Sequence, residues 1–222
     1  MSDTIKTLET DILVIGAGPA GLMAAETLAV AGQSVLVADA MPNPARKFLM
    51  AGRGGLNLTH SEALFDFIAR YGEARGWLAP TIRQFDPQDL IEWCHALGEE
   101  TFVGSSGRVF PKSFKASPLL RAWLKRLNEK GVAFALRHRF TDFDADGQAQ
   151  FTTAEGPVSV KAKAIVLALG GAGRNWAAAA IGLRRCKPTA SLSVRFCRPI
   201  WVSWSIGPTI SCRALQASRS SG

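Results

Sequence analysis

The chain has 222 residues, 47% apolar and 20% charged, enough to bury a core in one large domain or two small ones. No apolar run approaches the ~20 residues of a membrane span, and the first such run is short and preceded by acids, so neither a membrane anchor nor a secretory leader is expected and the cytoplasm is the default location. The formal net charge of +8 is unevenly placed: residues 173–222 hold eight of the 26 basic side chains and none of the 18 acidic ones, which leaves the first 172 residues balanced and argues against a general nucleic-acid or membrane surface.

Asp11–Ile15 is a short apolar, β-branched run that enters Gly16-Ala17-Gly18-Pro19-Ala20-Gly21, a GxGxxG turn. An amphipathic helix follows, with Leu22, Ala25, Leu28 and Ala29 on one face and Gly32 as its stop. A second strand, Ser34–Ala38, ends at Asp39 and Ala40. Strand, glycines, helix, second strand and acid in register read as a βαβ unit that holds a dinucleotide. Gly16 allows the turn, Gly18 lets a diphosphate approach the backbone, Gly21 lets helix and strand pack closely, and Asp39 is placed to accept the hydroxyls of an adenosine ribose. The motif alone leaves FAD and NAD open.

A turn-rich link, Met41-Pro42-Asn43-Pro44, leads to the run RKFLMAGRGGLNLTH from Arg46 to His60. Its three clustered glycines flanked by basic residues suggest a second close approach of backbone to an anionic or planar ligand. Here the sequence resembles the bacterial two-domain FAD flavoproteins known as aminoacetone-oxidase-like or BaiN-like NAD(P)/FAD-dependent oxidoreductases. The resemblance implies that this loop lies beside the flavin and diphosphate, and it nominates Lys47, Gly52, Arg53, Gly54 and Asn57. Many members carry a cysteine before the asparagine; Leu56 stands there instead, so no thiol acts at this point.

Ser61–Arg70 reads as a helix capped by Ser61, followed by a glycine-rich break. Asp86-Pro87 starts a helix carrying Leu90, Ile91, Trp93, Cys94 and Leu97 and stopping at Gly98, with Trp93 and Cys94 in the core and His95 at the surface or core edge. Thr101–Val103 and Gly107–Phe110 are short strands. The stretch from Gly107 through Ser117-Pro118 resembles the family's third signature; Ser117 is read as cap and Pro118 as the opening of a helix striped by Leu120, Trp123, Leu124 and Leu127, with Gly131 as stop. Arg108 could reach a substrate or phosphate, although a solvated arginine is the simpler reading.

Val132–Leu136 is a buried-type strand, and by resemblance the equivalent strand leads to a backbone contact with the adenine, which nominates the neighbourhood of Phe140. Turn signals at Asp144–Gly147 and Gly156-Pro157 make residues 140–160 a β-meander. Ala164–Leu169 is a further strand closing on Gly170-Gly171, which the resemblance places at the FAD site.

Past Ala172 the acids vanish and no sustained period remains. Three of the four cysteines, Cys186, Cys197 and Cys212, lie there, Cys94 lies in the body, and no ligand spacing links them, so neither a metal site nor a disulfide framework is indicated. A basic arm for nucleic acid fits poorly with Ile200, Trp201, Val202, Trp204 and Ile206. The expectation is instead that residues from about Gly173 onward are translated from a shifted reading frame. Regrouping the codons permits a PxNxGFxVxWS-like run resembling the family's continuation, and the junction of Trp201 with Val202 must then encode glycine. The gene's nucleotide sequence decides it, and an early stop in that frame would end the idea.

The expected organisation is therefore an α/β, Rossmann-like FAD-binding domain of the three-layer, glutathione-reductase-like type over residues 1–172, with a β-meander, cut short before the inserted substrate domain, and a poorly ordered tail over 173–222. The implied function is the front part of a flavin-dependent oxidoreductase moving hydride through flavin N5 to or from a small molecule, with NAD(P)H as a candidate electron donor, and inactive as a truncated chain. The rivals are an NAD(P)-linked oxidoreductase and a non-catalytic nucleotide-binding fragment with a basic tail. No catalytic acid or base is assignable, because His60, His95 and His138 have no partners visible in sequence.

Overall fold

Strand β1 (Lys6–Ile15) sits at the centre of the main sheet because its alternate residues are apolar on both faces, the pattern of a parallel strand covered twice. Leu13 and Ile15 point into one core and Ile12 and Val14 into the other, all at most 9% exposed. The computed structural model describes residues 5–51 and 54–170 together with the strands at 192–196 and 202–206. Helix α1 (Pro19–Val30) carries the chain to β2 (Val35–Asp39), which pairs parallel with β1 from Ile12↔Val35 to Ile15↔Ala38. This is the expected βαβ unit.

Between β2 and the next strand of the main sheet lies a long excursion. It comprises α2 (Arg46–Ala51), β3 (Thr59–His60), α3 (Leu64–Ala69), a 3-10 turn at Gly72–Ala74, α4 (Arg75–Ile82), α5 (Pro87–Ala96), β4 (Thr101–Val103), β5 (Arg108–Pro111) and α6 (Ala116–Glu129). Strands β3, β5 and β4 form a separate antiparallel sheet in that order. After α6 the chain returns to the main sheet as β6 (Ala133–Leu136), parallel to β2. The expected meander follows as β7 (Arg139–Phe143), β8 (Ala149–Thr153) and β9 (Gly156–Leu167). The described tail strands β10 (Leu192–Phe196) and β11 (Val202–Ile206) pair with each other, and β11 lies antiparallel to β9. The order across the main sheet is β10-β11-β9-β1-β2-β6, with β7 and β8 joined to the start of β9.

Four sequence expectations are corrected. Ser61 does not cap α3, which begins after Ala63 without a side-chain cap, because the Ser61 N–H is committed to the Gly107 carbonyl at 2.8 Å and prolongs the β3–β5 pairing. Helix α6 starts at Ala116 with Lys115 as cap, so Ser117 and Pro118 lie inside the first turn; a proline is tolerated there because first-turn N–H groups have no intrahelical acceptor. Residues 164–167 are not a separate strand but the second half of β9, whose first half pairs with β8 while its length runs beside β1. Helices α2 and α4 stand where a loop and a glycine-rich break were expected. Asp86 is the cap that was expected: its carboxylate accepts the Gln88 and Asp89 N–H groups, and Asp89 answers onto the Asp86 N–H.

The helix-side core gathers Leu22, Ala25, Val37, Leu120, Trp123, Leu127 and Val166, while Phe151, Val160 and Ile165 fill the meander side. One carboxylate is buried among the helices. Glu26, 9% exposed on α1, accepts the indole N–H of Trp123 at 2.8 Å and of Trp93 at 3.3 Å, and its second oxygen is 2.8 Å from Arg126 Nε. The Trp93 and Trp123 rings meet edge to face at 4.8 Å. Glu26 thereby ties α1 to α5 and α6, and a paired buried charge of this kind is costly to break.

Trp123→Ala should lower stability by about 3–5 kcal/mol in urea unfolding, through lost burial and a stranded Glu26 acceptor, whereas Lys125→Ala on the exposed face of α6 should stay within about 0.5 kcal/mol.

Candidate functional site: the dinucleotide loop

The parallel strands β1, β2 and β9 end together, and the GxGxxG loop is fitted into that edge. Gly16 has φ +111 and donates its N–H to the Ala38 carbonyl at 2.8 Å. A Cβ on Gly16 would lie 2.3 Å from the Ala168 carbonyl oxygen, and one on Gly21 would lie 1.9 Å from the Gly16 carbonyl oxygen. Neither position can hold a side chain. Gly18 differs: a Cβ there would meet nothing within 4 Å, so its surroundings are open space at the mouth of α1.

That mouth takes no side-chain cap from the described residues. Gly18 is the N-cap of α1 with no side-chain cap, Pro19 opens the helix, and no acid lies in the first turn. The N–H groups of Ala20 and Gly21 fall in the first turn, where a helix offers no acceptor, and they add to the positive end of the helix dipole. A diphosphate answers both deficits, each dipole interaction contributing about 0.3–1 kcal/mol at an exposed site, so several N–H bonds must act together.

Asp39 stands at the tip of β2, half-buried. One carboxylate oxygen accepts the Ala17 N–H at 2.7 Å and the other accepts the Met41 N–H at 2.7 Å. This role was not visible in sequence: the acid holds the glycine loop and the turn after β2. Each oxygen keeps a second lone pair for a hydroxyl. Ala40 lies exposed beyond it.

The second signature is tied to the first through backbone. The Ala45 N–H donates to the Ala17 carbonyl at 2.7 Å, with Ala45 buried and left-handed at φ +53, and α2 follows immediately. Lys47, exposed on α2, brings Nζ to 3.7 Å from the position a Cβ on Gly170 would occupy. Gly16–Gly21, Asp39, Lys47 and Gly170 are therefore gathered at one edge. Gly54 and Asn57 are exposed on the loop leading to β3. Gly52, Arg53 and Gly171 lie outside the described residues.

The Phe140 ring, partly buried, packs at 5.0 Å from Phe143 and 5.8 Å from Phe151 against the meander core. The backbone beside Asp39 belongs to Arg137 and His138: the Arg137 N–H donates to the Met41 carbonyl at 3.2 Å and the His138 N–H to the Asp39 carbonyl at 2.9 Å. The signal in sequence was the polar Arg137-His138-Arg139 break between two apolar strands; Arg137 turns it at φ +60. Leu56 is buried against Cys94, Ala116 and Leu119, and burial pushes the Cys94 thiol up to about 12, with Glu99 adding to the rise.

Strand order, loop and acid together define a Rossmann-like dinucleotide-binding domain. The chain belongs to the HI0933-like family, whose Rossmann-domain profile matches residues 10–181. A putrescine oxidase of Kocuria rosea is 61% identical over 95 residues, 43% of this chain and 16% of that protein. A ferredoxin–NADP reductase of Saccharopolyspora erythraea is 35% identical over 88 residues, 37% of this chain and 24% of that one. The chain thus spans about a quarter or less of the length of these curated relatives. Among solved structures, the open conformation of a flavocytochrome c3 fumarate reductase is similar with TM-score 0.58 at 24% identity, over 78% of this chain and 35% of that chain. Thermovibrio ammonificans THI4 is similar with TM-score 0.53 at 17% identity, over 84% and 65%. At these identities the structures speak to the fold. No described helix is long and apolar enough to cross a membrane.

Gly21 and Gly18 should separate by experiment. Gly21→Ala should lower the urea midpoint because its methyl meets backbone, whereas Gly18→Ala should leave the midpoint near wild type and weaken FAD in a fluorescence titration.

Cys94 sets a second expectation. Its folded pKa lies above its unfolded value, so the stability it contributes is full below about pH 8.5 and is lost as pH rises toward about 12. Cys94→Ala should flatten that alkaline loss in unfolding measurements from pH 8 to 11, and native Cys94 should resist alkylation at pH 8 by peptide mapping.

Proposed function

We propose that this chain is the FAD-binding front part of an oxidoreductase that exchanges hydride with a small-molecule substrate, with NAD(P)H as the electron donor in the whole enzyme. Bound FAD supplies the chemistry, taking or giving hydride at its N5. The chain's own residues bind and orient. The Ala20 and Gly21 N–H groups meet the diphosphate, the open side of Gly18 admits it, and Lys47 offsets its charge beside Gly170. Asp39 accepts the ribose hydroxyls while its bonds to Ala17 and Met41 hold it in place. Gly52, Arg53, Gly54, Asn57 and Gly171 serve the flavin side, and backbone near residues 137–140 serves the adenine.

The observation that carries this reading is the Asp39 carboxylate bonded to the amide of Ala17, within the loop whose helix mouth has no side-chain cap among the described residues. A carboxylate at the tip of β2 favours a ribose with free hydroxyls over one bearing a 2′-phosphate, which fits FAD. We further propose that the tail from about Gly173 is out of frame.

Expression should give a yellow protein, or a colourless one that takes up FAD in titration. Asp39→Ala should weaken FAD at least about tenfold, the equivalent of one charge-assisted hydrogen bond. A chain that resists FAD, or that copurifies with nicotinamide dinucleotide instead, would contradict the reading.

A further inference from the structure

On the small sheet β3-β5-β4, three phenylalanine rings are held together in the open. Phe102, Phe110 and Phe114 have centroids 5.0–5.8 Å apart in every pairing, with planes inclined by 12–27°. A column of three rings would put the outer two at about twice the neighbour spacing. The equal distances make a staggered plate instead. Phe102 is 37% and Phe114 44% exposed, so the plate meets water.

The backbone is strained to hold it there. Phe114 is left-handed at φ +61, rare for a bulky side chain, and two hydrogen bonds fix it: its N–H to the Pro111 carbonyl at 2.9 Å, and the Leu56 N–H to its own carbonyl at 3.1 Å. Beneath it lies Gly55, where a Cβ would come within 2.3 Å of the Phe114 ring. Ordinary burial would turn such a ring inward; this arrangement fixes it outward.

Alternation along β5 puts Arg108 on the same face as Phe110, about 7 Å along the strand. Arg108 is exposed and forms no ion pair among the described residues. Its cross-strand neighbour His60 is engaged at both ring nitrogens, Nδ1 3.2 Å from the Glu62 backbone N and 3.5 Å from the Glu62 carboxylate, and Nε2 3.0 Å from the Ser106 carbonyl oxygen.

We infer that this face binds a planar aromatic carboxylate, its ring on the Phe102–Phe110–Phe114 plate and its carboxylate on Arg108. The size of the plate selects a small ligand. A stable protein interface needs about 800 Å² per partner, whereas two half-exposed phenylalanines, of about 150–250 Å² each when whole, offer a small part of that. The site goes beyond the dinucleotide loop and does not depend on FAD.

The test is calorimetric titration of the full chain with 2-naphthoate, with and without FAD. Saturable binding is expected in both conditions, at least fivefold weaker for 2-naphthalenemethanol and for cyclohexanecarboxylate. Phe114→Leu, Phe102→Leu and Arg108→Gln, each checked by its urea midpoint, should weaken naphthoate at least fivefold. Absence of saturation, equal binding of the neutral alcohol, or unchanged affinity in the folded variants would overturn the proposal. So would self-association through this face that naphthoate fails to disperse. A chain that takes FAD but not naphthoate refutes this site alone; one that takes naphthoate but not FAD refutes the flavin reading alone.

Discussion

The structure depends on two places where only a hydrogen fits. Gly21 lies so close to the Gly16 carbonyl, and Gly16 so close to the Ala168 carbonyl, that α1, the end of β1 and the end of β9 meet backbone to backbone. That contact points the first-turn N–H groups of α1 outward at the common edge of the parallel strands. With a side chain at either position the helix would stand off the sheet, and the mouth would lose its relation to Asp39 on β2 and to Gly170 after β9. The proposed anion site is therefore a consequence of packing: the chain omits side chains where layers must touch, and a helix mouth without a side-chain cap among the described residues follows.

Asp39 and Ala45 turn that packing into a site with several parts. The Asp39 carboxylate bridges the glycine loop and the turn after β2, and the Ala45 amide binds the same loop from the other signature. The two stretches most easily noticed in the sequence are thus cross-braced through Ala17, which accepts one of these bonds and donates the other. Glu26, on the far side of α1, fixes the helix against α5 and α6 and so limits how far its mouth can move.

The βαβ unit, the Asp86 cap, the meander and the long α6 stripe were legible because each rests on a local signal: glycine spacing, a capping box, turn residues, or a run long enough to show its period. The misses have equally local causes. Helix α2 has six residues and buries none, so it leaves no stripe, and its helix-forming residues were outweighed by the glycines that follow. Helix α4 carries Pro80 inside it. Ser61 looked like a cap, but a distant strand takes its amide. Glu26 carried no signal in sequence because its partners Trp93, Trp123 and Arg126 lie far along the chain. The backbone pairing of Arg137 and His138 with Met41 and Asp39 joins residues about a hundred positions apart, so no local signal could show it.

Amide chemical shifts followed through an FAD titration report whether the proposed diphosphate site at the first turn of α1 is occupied. The resonances of Ala17, Ala20 and Gly21 should move farthest while those of β4 and β5 stay in place. FAD binding with these three amides unmoved, or with the largest changes on the small sheet, would rule out a diphosphate at the mouth of α1.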